Sequence, residues 1–101
     1  MRRKQITMDS LVAPSKDQVS CDLSGEAAIL NVRAGMYYGL DEVGARAWNL
    51  ILKSQPAREI KEELLNEYDV EPQRCERDLL ALLNDLAGKG LIEITDPCAA
   101  Q

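Results

Sequence analysis

The stretch Met36-Tyr37-Tyr38-Gly39-Leu40-Asp41-Glu42-Val43-Gly44-Ala45-Arg46 decides how this chain folds, because a strand pattern changes into a helix pattern there with almost no loop. Alternate side chains from Met36 to Leu40 share one face of an extended strand. Asp41 follows as an N-cap, since its carboxylate can accept hydrogen bonds from the free amides of a first helical turn. Apolar residues then recur at helical spacing to about Lys53. The stretch therefore predicts a strand that leads directly into a helix.

Two further strands are predicted before this stretch. Apolar and polar residues alternate along Gln18–Leu23 and again along Ala28–Val32, and Ser24-Gly25-Glu26 between them has the composition of a hairpin turn. A second turn at Arg33-Ala34-Gly35 leads into the third strand. We expect an antiparallel meander whose first and third strands are both edges, with Cys21 in the core.

Two more helices are predicted after the first. The first helix buries Trp48, and Ser54-Gln55-Pro56 ends it. The second helix carries apolar residues from Ile60 to Tyr68, and the third runs from about Pro72 to Ala87 before Gly88-Lys89-Gly90 stops it. The third helix has an apolar stripe made of Cys75, Leu79, Leu82, Leu83 and Leu86. The short apolar return Leu91, Ile92 and Ile94 is either a strand or a packed tail.

The predicted fold class is therefore α+β: a three-stranded antiparallel sheet followed by three helices, in a winged-helix-like arrangement. We expect residues 1–17 to form an N-terminal arm, partly flexible and with a short extended segment. Residues 18–94 form the domain, and residues 95–101 form a frayed C-terminal tail.

The composition excludes several classes of function. The 101 residues carry 17 acidic and 12 basic side chains, for a net charge of −5, which disfavours binding to phosphate backbones. The chain has no histidine, so the commonest metal ligand and general base are missing. Its 3 cysteines, Cys21, Cys75 and Cys98, are far apart and odd in number, which favours a reducing cytoplasm without structural disulfides. No apolar run is long enough to span a membrane.

No catalytic, metal or cofactor site is predicted. The adjacent acidic pairs Asp41-Glu42 and Glu62-Glu63 point apart on a helix and are interpreted as a cap and a solvated face. Cys75 lies on an apolar stripe, where a buried thiol is more common than a reactive one. The spacing of Gly35, Gly39 and Gly44 matches no phosphate-binding loop.

A winged helix that binds DNA is one alternative reading of the same elements. In that reading the third helix would enter the major groove through Pro72–Asp78, where two arginines are balanced by two acidic residues. Because its positive and negative charges balance, this segment is poorly suited to binding DNA phosphates. A protein-interaction module of the same fold, without a peptide substrate, is the other alternative that stays open.

Several segments carry a resemblance to a known family. They are Gly25-Glu26-Ala27, Leu30-Asn31-Val32, Gly35 through Trp48, Ile60 through Val70, and Asp78 through Ile92. Taken together over about residues 18–94, the sequence resembles the PqqD-like family. The members of this family are recognition elements for the precursors of ribosomally made, post-translationally modified peptides.

The resemblance implies that a leader peptide binds by adding a strand to the edge of the third strand, with side chains settling against the third helix. Backbone groups of the third strand would form the hydrogen bonds to the added strand. Leucines of the third helix would line an apolar groove, and charged residues would flank this groove. The peptide-binding residues implied are Met36, Tyr37, Tyr38, Gly39, Leu40, Arg74, Asp78, Leu79, Leu82, Leu83, Asp85 and Leu86.

The resemblance also implies the partners. The protein would be a non-enzymatic adaptor, without a cofactor, that presents a precursor peptide to a separate enzyme. It looks more like the free-standing members that accompany lasso-peptide proteases or radical S-adenosylmethionine enzymes than like the pyrroloquinoline quinone protein itself. Neither nucleic acid nor membrane is expected as a partner. A homodimer through an uncovered strand edge is the open alternative to a monomer.

Overall fold

The computed structural model describes residues 6–95, which form an α+β fold with antiparallel sheets and three helices, as predicted. In chain order the elements are β1 (Leu11–Pro14), β2 (Gln18–Leu23), β3 (Glu26–Asn31), β4 (Met36–Leu40), α1 (Glu42–Ile51), β5 (Gln55–Pro56), α2 (Ala57–Glu67), α3 (Pro72–Gly88) and β6 (Ile92–Thr95). Within residues 6–95, no helix combines the length and the apolar character needed to cross a bilayer.

The predicted meander is present as a sheet in the order β2-β3-β4. The β2–β3 turn has positive φ at both central residues, Ser24 (55°) and Gly25 (92°), which matches a two-residue turn that follows the twist of the strands. The register pairs Val19 with Leu30 and Leu30 with Tyr37, so these three residues form a row on one face of the sheet.

The prediction that Cys21 lies in the core is wrong, because its side chain is on the outer face of the sheet and is exposed. The inner face, against which α1 packs, buries Ala27 and Ile29 of β3, while Leu30 is 40% exposed. Strand β3 is apolar on both of its faces, so alternation alone cannot show which face the helices cover.

A second small sheet, in the order β5-β1-β6, was not predicted as such. Its central strand β1 lies in the segment assigned to the arm, where Val12 is completely buried, and Ile6 belongs to the core as well. Residues before Gln18 therefore contribute to the core. The apolar return near the C-terminus is the strand β6, in which Thr95 pairs with Leu11. The rest of the predicted arm and tail, residues 1–5 and 96–101, lies outside the described residues.

The helices follow the sequence pattern closely. Asp41 caps α1, because its Oδ1 accepts a hydrogen bond from the backbone N–H of Gly44 at 2.8 Å. Trp48 of α1 is only 2% exposed, which confirms its place in the core. The core-facing residues of α3 are likewise buried: Cys75, Leu79, Leu83 and Leu86.

Asn31, at the end of β3, links two parts of the fold that are distant in sequence. Its side-chain Nδ2 donates to the carbonyl oxygens of Lys89 (3.0 Å) and Gly90 (3.2 Å), just after α3. Its Oδ1 accepts from the backbone N–H groups of Arg33 (3.0 Å) and Ala34 (3.1 Å), in the β3–β4 turn. Every hydrogen-bonding position of this buried amide is thus used, and the end of α3 is held against the turn that begins β4.

Arg46 and Glu67 link α1 to α2 through a bidentate ion pair. The guanidinium Nε donates to both Glu67 carboxylate oxygens at 2.8 and 2.9 Å, and one NH₂ group donates to Oε2 at 2.6 Å. These hydrogen bonds hold the pKa of the Glu67 carboxyl below its ordinary value and raise the pKa of Arg46. Because the carboxylate form is favoured in the folded state, the pair stabilises the fold above the ordinary pKa of Glu67.

We expect Asn31→Ala to lower the free energy of unfolding by about 2–4 kcal/mol, because it removes four part-buried hydrogen bonds that join the β3–β4 turn to the residues after α3. Asn84→Ala is the matched control, since the exposed Asn84 amide bonds only to the carbonyl of Leu80 in its own helix. That variant is expected to change stability by less than about 0.5 kcal/mol. Urea unfolding followed by circular dichroism measures both, and equal losses would contradict the linking role of Asn31.

We expect Glu67→Gln to reduce stability at neutral pH and to have little effect in acid. The depressed pKa of Glu67 means that its stabilisation is complete above the ordinary value of 4.5 and is lost as the pH falls through the lower folded-state value. Urea midpoints of the wild type and variant from pH 7 down to about pH 3 should therefore converge. Asp17→Asn is the control, because the Asp17–Arg33 pair is long (3.8 Å) and exposed. A difference between Glu67→Gln and wild type that stays constant with pH would contradict this account.

Candidate functional site

An open groove of about 670 Å³ lies beside β4. The end of β4, the start of α1, the end of α2 and the first half of α3 form its walls. Its lining residues are Tyr38, Gly39, Leu40, Asp41, Val43, Gly44, Ala47, Leu64, Tyr68, Val70, Arg74, Cys75, Asp78, Leu79 and Leu82. Most of these side chains are apolar, as in sites that bury a ligand.

The strand β4 is an edge of its sheet, and no other described strand pairs with its outer side. Asp17 and Val32 are the next pair of opposed residues after Gln18 and Asn31 in the β2–β3 register. The backbone N–H of Val32 donates to the Asp17 carbonyl oxygen at 2.8 Å, so Asp17 and Val32 form a hydrogen-bonded pair. Hydrogen-bonded and non-hydrogen-bonded pairs alternate in antiparallel sheets. Counting along the register, Met36, Tyr38 and Leu40 direct their backbone groups toward β3. The N–H and C=O groups of Tyr37 and Gly39 therefore point away from the sheet, toward open space.

The close approach of α1 to the end of β4 depends on Gly44. A Cβ at this position would lie 3.1 Å from Cδ2 of Leu40 and 3.2 Å from the capping Oδ1 of Asp41. Both distances are shorter than most contacts that a Cβ atom makes in proteins. The absence of a side chain at Gly44 thus lets the helix begin directly beside the strand, and it leaves Val43, which is 47% exposed, on the groove wall.

Charged side chains lie on the groove wall formed by α3. Arg74 and Asp78, one turn apart, are paired at 3.8 Å, and both are 68% exposed. Such a pair contributes little to stability and its members are free to exchange partners. Asp41, at the opposite wall, uses one carboxylate oxygen for the helix cap.

Tyr38 lies against the middle and end of α3. Its hydroxyl donates to Oδ2 of Asp85 at 3.4 Å, and Nζ of Lys89 lies 5.5 Å from the centre of its ring. Burial and the negative charge of Asp85 raise the pKa of Tyr38 above its ordinary value of 10.0, so the hydroxyl is a neutral donor at physiological pH. This contact joins β4 to α3 next to the groove.

The thiol of Cys75 is part of the groove wall and is almost completely buried. Burial raises the pKa of this thiol above its ordinary value of 9.0, against a smaller lowering effect from Lys61. The group is therefore protonated at neutral pH, and a protonated thiol is a poor nucleophile. Cys75 contributes apolar surface to the groove.

The structure brings together part of the residue set predicted for peptide binding. Those that line the groove are Tyr38, Gly39, Leu40, Arg74, Asp78, Leu79 and Leu82. Leu83 and Leu86 are fully buried in the core and do not reach the groove. Met36 and Tyr37 are exposed at the start of β4, and Asp85 contacts the groove only through Tyr38.

Sequence reasoning missed the wall formed by α1 and the end of α2. Val43, Gly44 and Ala47 line the groove from α1, and Tyr68 and Val70 line it from the segment that follows α2. One signal was available in the sequence: Val43 is the second residue after the Asp41 cap, in the first turn of a short helix, where an apolar residue has little core to face.

The chain is similar to a known protein family. The model of the family described as coenzyme PQQ synthesis protein D (PqqD) matches residues 26–92. A search of curated proteins gave no match.

Two solved structures are similar to this chain. The structure of TbiB1 in complex with the TbiA(beta) leader peptide is 37% identical, covers 80% of this chain and 94% of that chain, and superposes with a TM-score of 0.77. A lasso peptide synthetase B1 complexed with the leader peptide is 23% identical, covers 81% of this chain and 96% of that chain, and has a TM-score of 0.72; it supports the fold alone. The family match and the coverage agree with the resemblance noted in the sequence, and the chain belongs to the PqqD family.

Proposed function

We propose that this protein captures the leader segment of a ribosomally made precursor peptide as an added strand on β4. The observation that carries the proposal is the free edge of β4, whose outward backbone groups at Tyr37 and Gly39 lie beside an apolar groove. The proposal is also supported by the similarity to TbiB1, whose solved structure is a complex with the TbiA(beta) leader peptide.

The backbone of the leader supplies the first part of the interaction. The N–H and C=O groups of Tyr37 and Gly39 offer four hydrogen bonds to an incoming strand. Gly39 has no side chain on the outer face of the sheet, and Tyr37 is 66% exposed, so nothing in the described chain covers this edge.

The side chains of the leader supply the second part. Alternate residues of an added strand face the same side as Tyr38 and Leu40, and so point into the groove. There they meet Val43 from α1 and Leu79 and Leu82 from α3. Arg74 and Asp78 act as polar selectors at the rim, and Asp85 acts through its contact with Tyr38. Leu83, Leu86 and Met36 act by supporting the groove and the strand.

The magnitudes fit a reversible carrier. Four ladder hydrogen bonds at about 0.5–1.5 kcal/mol each and two or three apolar anchors at about 1.5–3 kcal/mol each give roughly 5–15 kcal/mol in total. Ordering a flexible leader and restricting its free motion cost several kcal/mol of binding free energy, which reduces this gain. We expect a dissociation constant between about micromolar and some tens of nanomolar.

A separate enzyme completes the function. The chain has no histidine, and burial raises the pKa of the Cys75 thiol in the groove wall, so this thiol is a poor nucleophile. We propose an adaptor without catalytic activity that works in the cytoplasm. Its partner is a modifying enzyme, such as a radical S-adenosylmethionine enzyme or a lasso-peptide protease. By holding the leader, the adaptor raises the effective concentration of the peptide core at that enzyme.

We expect Leu82→Asp to weaken leader binding by at least about tenfold, because it places a charge where an apolar anchor packs. Leu80→Asp is the matched control: Leu80 is also half-buried on α3, but it faces away from the groove, beside Gln73 and Arg77. Amide-resolved NMR titration reports affinity and site together. The probes are the leader of the short precursor encoded nearest to this chain and the TbiA(beta) leader peptide.

In the wild type, saturable shifts should be confined to β4, the start of α1 and the first half of α3. Equal loss of binding in both leucine variants, with folded spectra, would argue against the groove. An unresponsive wild-type spectrum with both leaders would remove the leader-binding proposal in favour of a protein-interaction module.

We expect Gly39→Pro to weaken leader binding by about 3- to 10-fold or more, because it removes an outward N–H from the β4 edge. This N–H does not bond to β3, so the sheet should stay intact. Gly39→Ala keeps the N–H and is the control, since its Cβ would meet only Tyr37 at 3.4 Å or beyond. Calorimetric titration with the same leader compares the two, and equal affinities would exclude a ladder bond at this residue.

A further inference from the structure

The strand β2 is the opposite edge of the same sheet, and within residues 6–95 no other strand pairs with its outer side. The Val32–Asp17 hydrogen bond fixes the alternation along β2 as well. Val19, Cys21 and Leu23 direct their backbone groups toward β3, so the N–H and C=O groups of Ser20 and Asp22 point outward. Among the described residues, no strand or helix accepts these groups.

The side chains of β2 are unusual for a free edge. Natural edges are commonly protected by charged residues or proline. On β2 the only charged residue is Asp22, while Val19 is 58% exposed and Leu23 is 50% exposed on the outer face. This strand is therefore suited to pairing with another strand.

We propose that two copies of this chain pair β2 against β2 in antiparallel register about Cys21, forming one six-stranded sheet. Cys21 then lies opposite Cys21 of the second copy, in a non-hydrogen-bonded pair. Val19 lies opposite Leu23 of the second copy, so the two exposed apolar side chains cover each other. Ser20 lies opposite Asp22 of the second copy, and these residues exchange the outward backbone hydrogen bonds.

The self-complementary sequence of β2 is the reason for choosing a second copy as the occupant. Each apolar residue meets an apolar one, and Asp22 meets a serine instead of another carboxylate, so no like charges are opposed. The arrangement is two-fold symmetric and therefore closes at two copies, whereas pairing β2 with β4 of the next copy would continue into an open chain. Neither the groove beside β4 nor the small cavity on α3 is lined by a residue of β2. A leader peptide that added to β2 would therefore not reach the groove beside β4.

The pairing leaves both peptide grooves free. The two β4 edges become the outer edges of the six-stranded sheet, five strand spacings or about 24 Å apart. The proposed contact consists of one pair of six-residue strands, so we expect it to be smaller than the roughly 800 Å² per partner of a stable interface and the dimer to be weak and dependent on concentration.

Thiol cross-linking tests the register. In a Cys75→Ala, Cys98→Ser background, Cys21 is the only thiol, and copper phenanthroline should oxidise it to a disulfide-linked dimer. The matched control carries Val19→Cys and Cys21→Ser in the same background. Its two thiols would lie about 13 Å apart in the paired strands, so its cross-linking should be roughly tenfold slower although position 19 is also exposed. Equal rates at the two positions would overturn the proposed register.

Sedimentation equilibrium of the chain with its native cysteines, kept reduced, gives an independent test. From about 10 μM to about 1 mM the wild type should show a monomer–dimer equilibrium. Ser20→Lys, which sets opposite charges against Asp22 of the second copy, should strengthen the dimer. Ser20→Asp, which sets like charges there, should weaken it. The two variants should differ by about 2- to 30-fold in dissociation constant or more.

A monomer at every concentration, or a dimer that responds equally to both Ser20 variants, would overturn the proposal. Addition of the TbiA(beta) leader peptide separates this inference from the proposed function. If the leader binds without changing the dimer, the leader and the second copy use different edges of the sheet. If the leader dissociates the dimer, the leader binds at β2, and the assignment of β2 to a second copy is wrong. A leader that does not bind leaves the sedimentation result fully interpretable.

Discussion

The four hydrogen bonds of Asn31 are the interaction on which the geometry of this molecule most depends. They connect the residues just after α3 to the β3–β4 turn, two segments that lie more than fifty residues apart in sequence. The fit is close, because a Cβ at Gly90 would lie 2.7 Å from the Asn31 Nδ2, and Gly90 has a φ of +72° that suits glycine. Since β4 starts at the turn held by Asn31, this contact helps to set the distance between β4 and α3. The groove is the space left between these two elements.

The apolar surface of α3 is divided between the core and the groove. Leu83 and Leu86 are buried in the core, whereas Leu82 is only half-buried and faces the groove, and Leu79 contributes to both. A helix with a wider apolar arc than its own core can cover leaves the remainder for a ligand. A bound strand that covers Leu82 and Val43 would gain free energy from burying this surface, without any rearrangement of the core.

Much of the fold could be predicted from the sequence, and the failures have physical causes. The helices, the Asp41 cap and the meander depend on contacts between near neighbours in sequence, which periodicity reports. The sheet of β5, β1 and β6 joins three distant segments, of which β5 is only two residues long, so no local pattern reveals it. The outward position of Cys21 was missed because β3 is apolar on both faces. In the groove, the α3 wall was found from its leucine stripe, but the α1 wall required knowing that Gly44 lets the helix approach Leu40.

The two edges of the β2-β3-β4 sheet differ in what surrounds them, and this difference is the basis for proposing that each edge binds a different kind of strand. At β4 the backbone groups of Tyr37 and Gly39 lie beside a groove, so an added strand gains both ladder hydrogen bonds and apolar burial. At β2 the outward backbone groups of Ser20 and Asp22 lie away from the groove beside β4, which no β2 residue lines, so an added strand there would depend on what its own side chains bring. A leader with apolar anchors should therefore prefer β4, whereas a second β2 brings the complementary Val19 and Leu23. Because the sites lie on opposite edges, occupation of one does not block the other, and a dimer would carry two leaders at once.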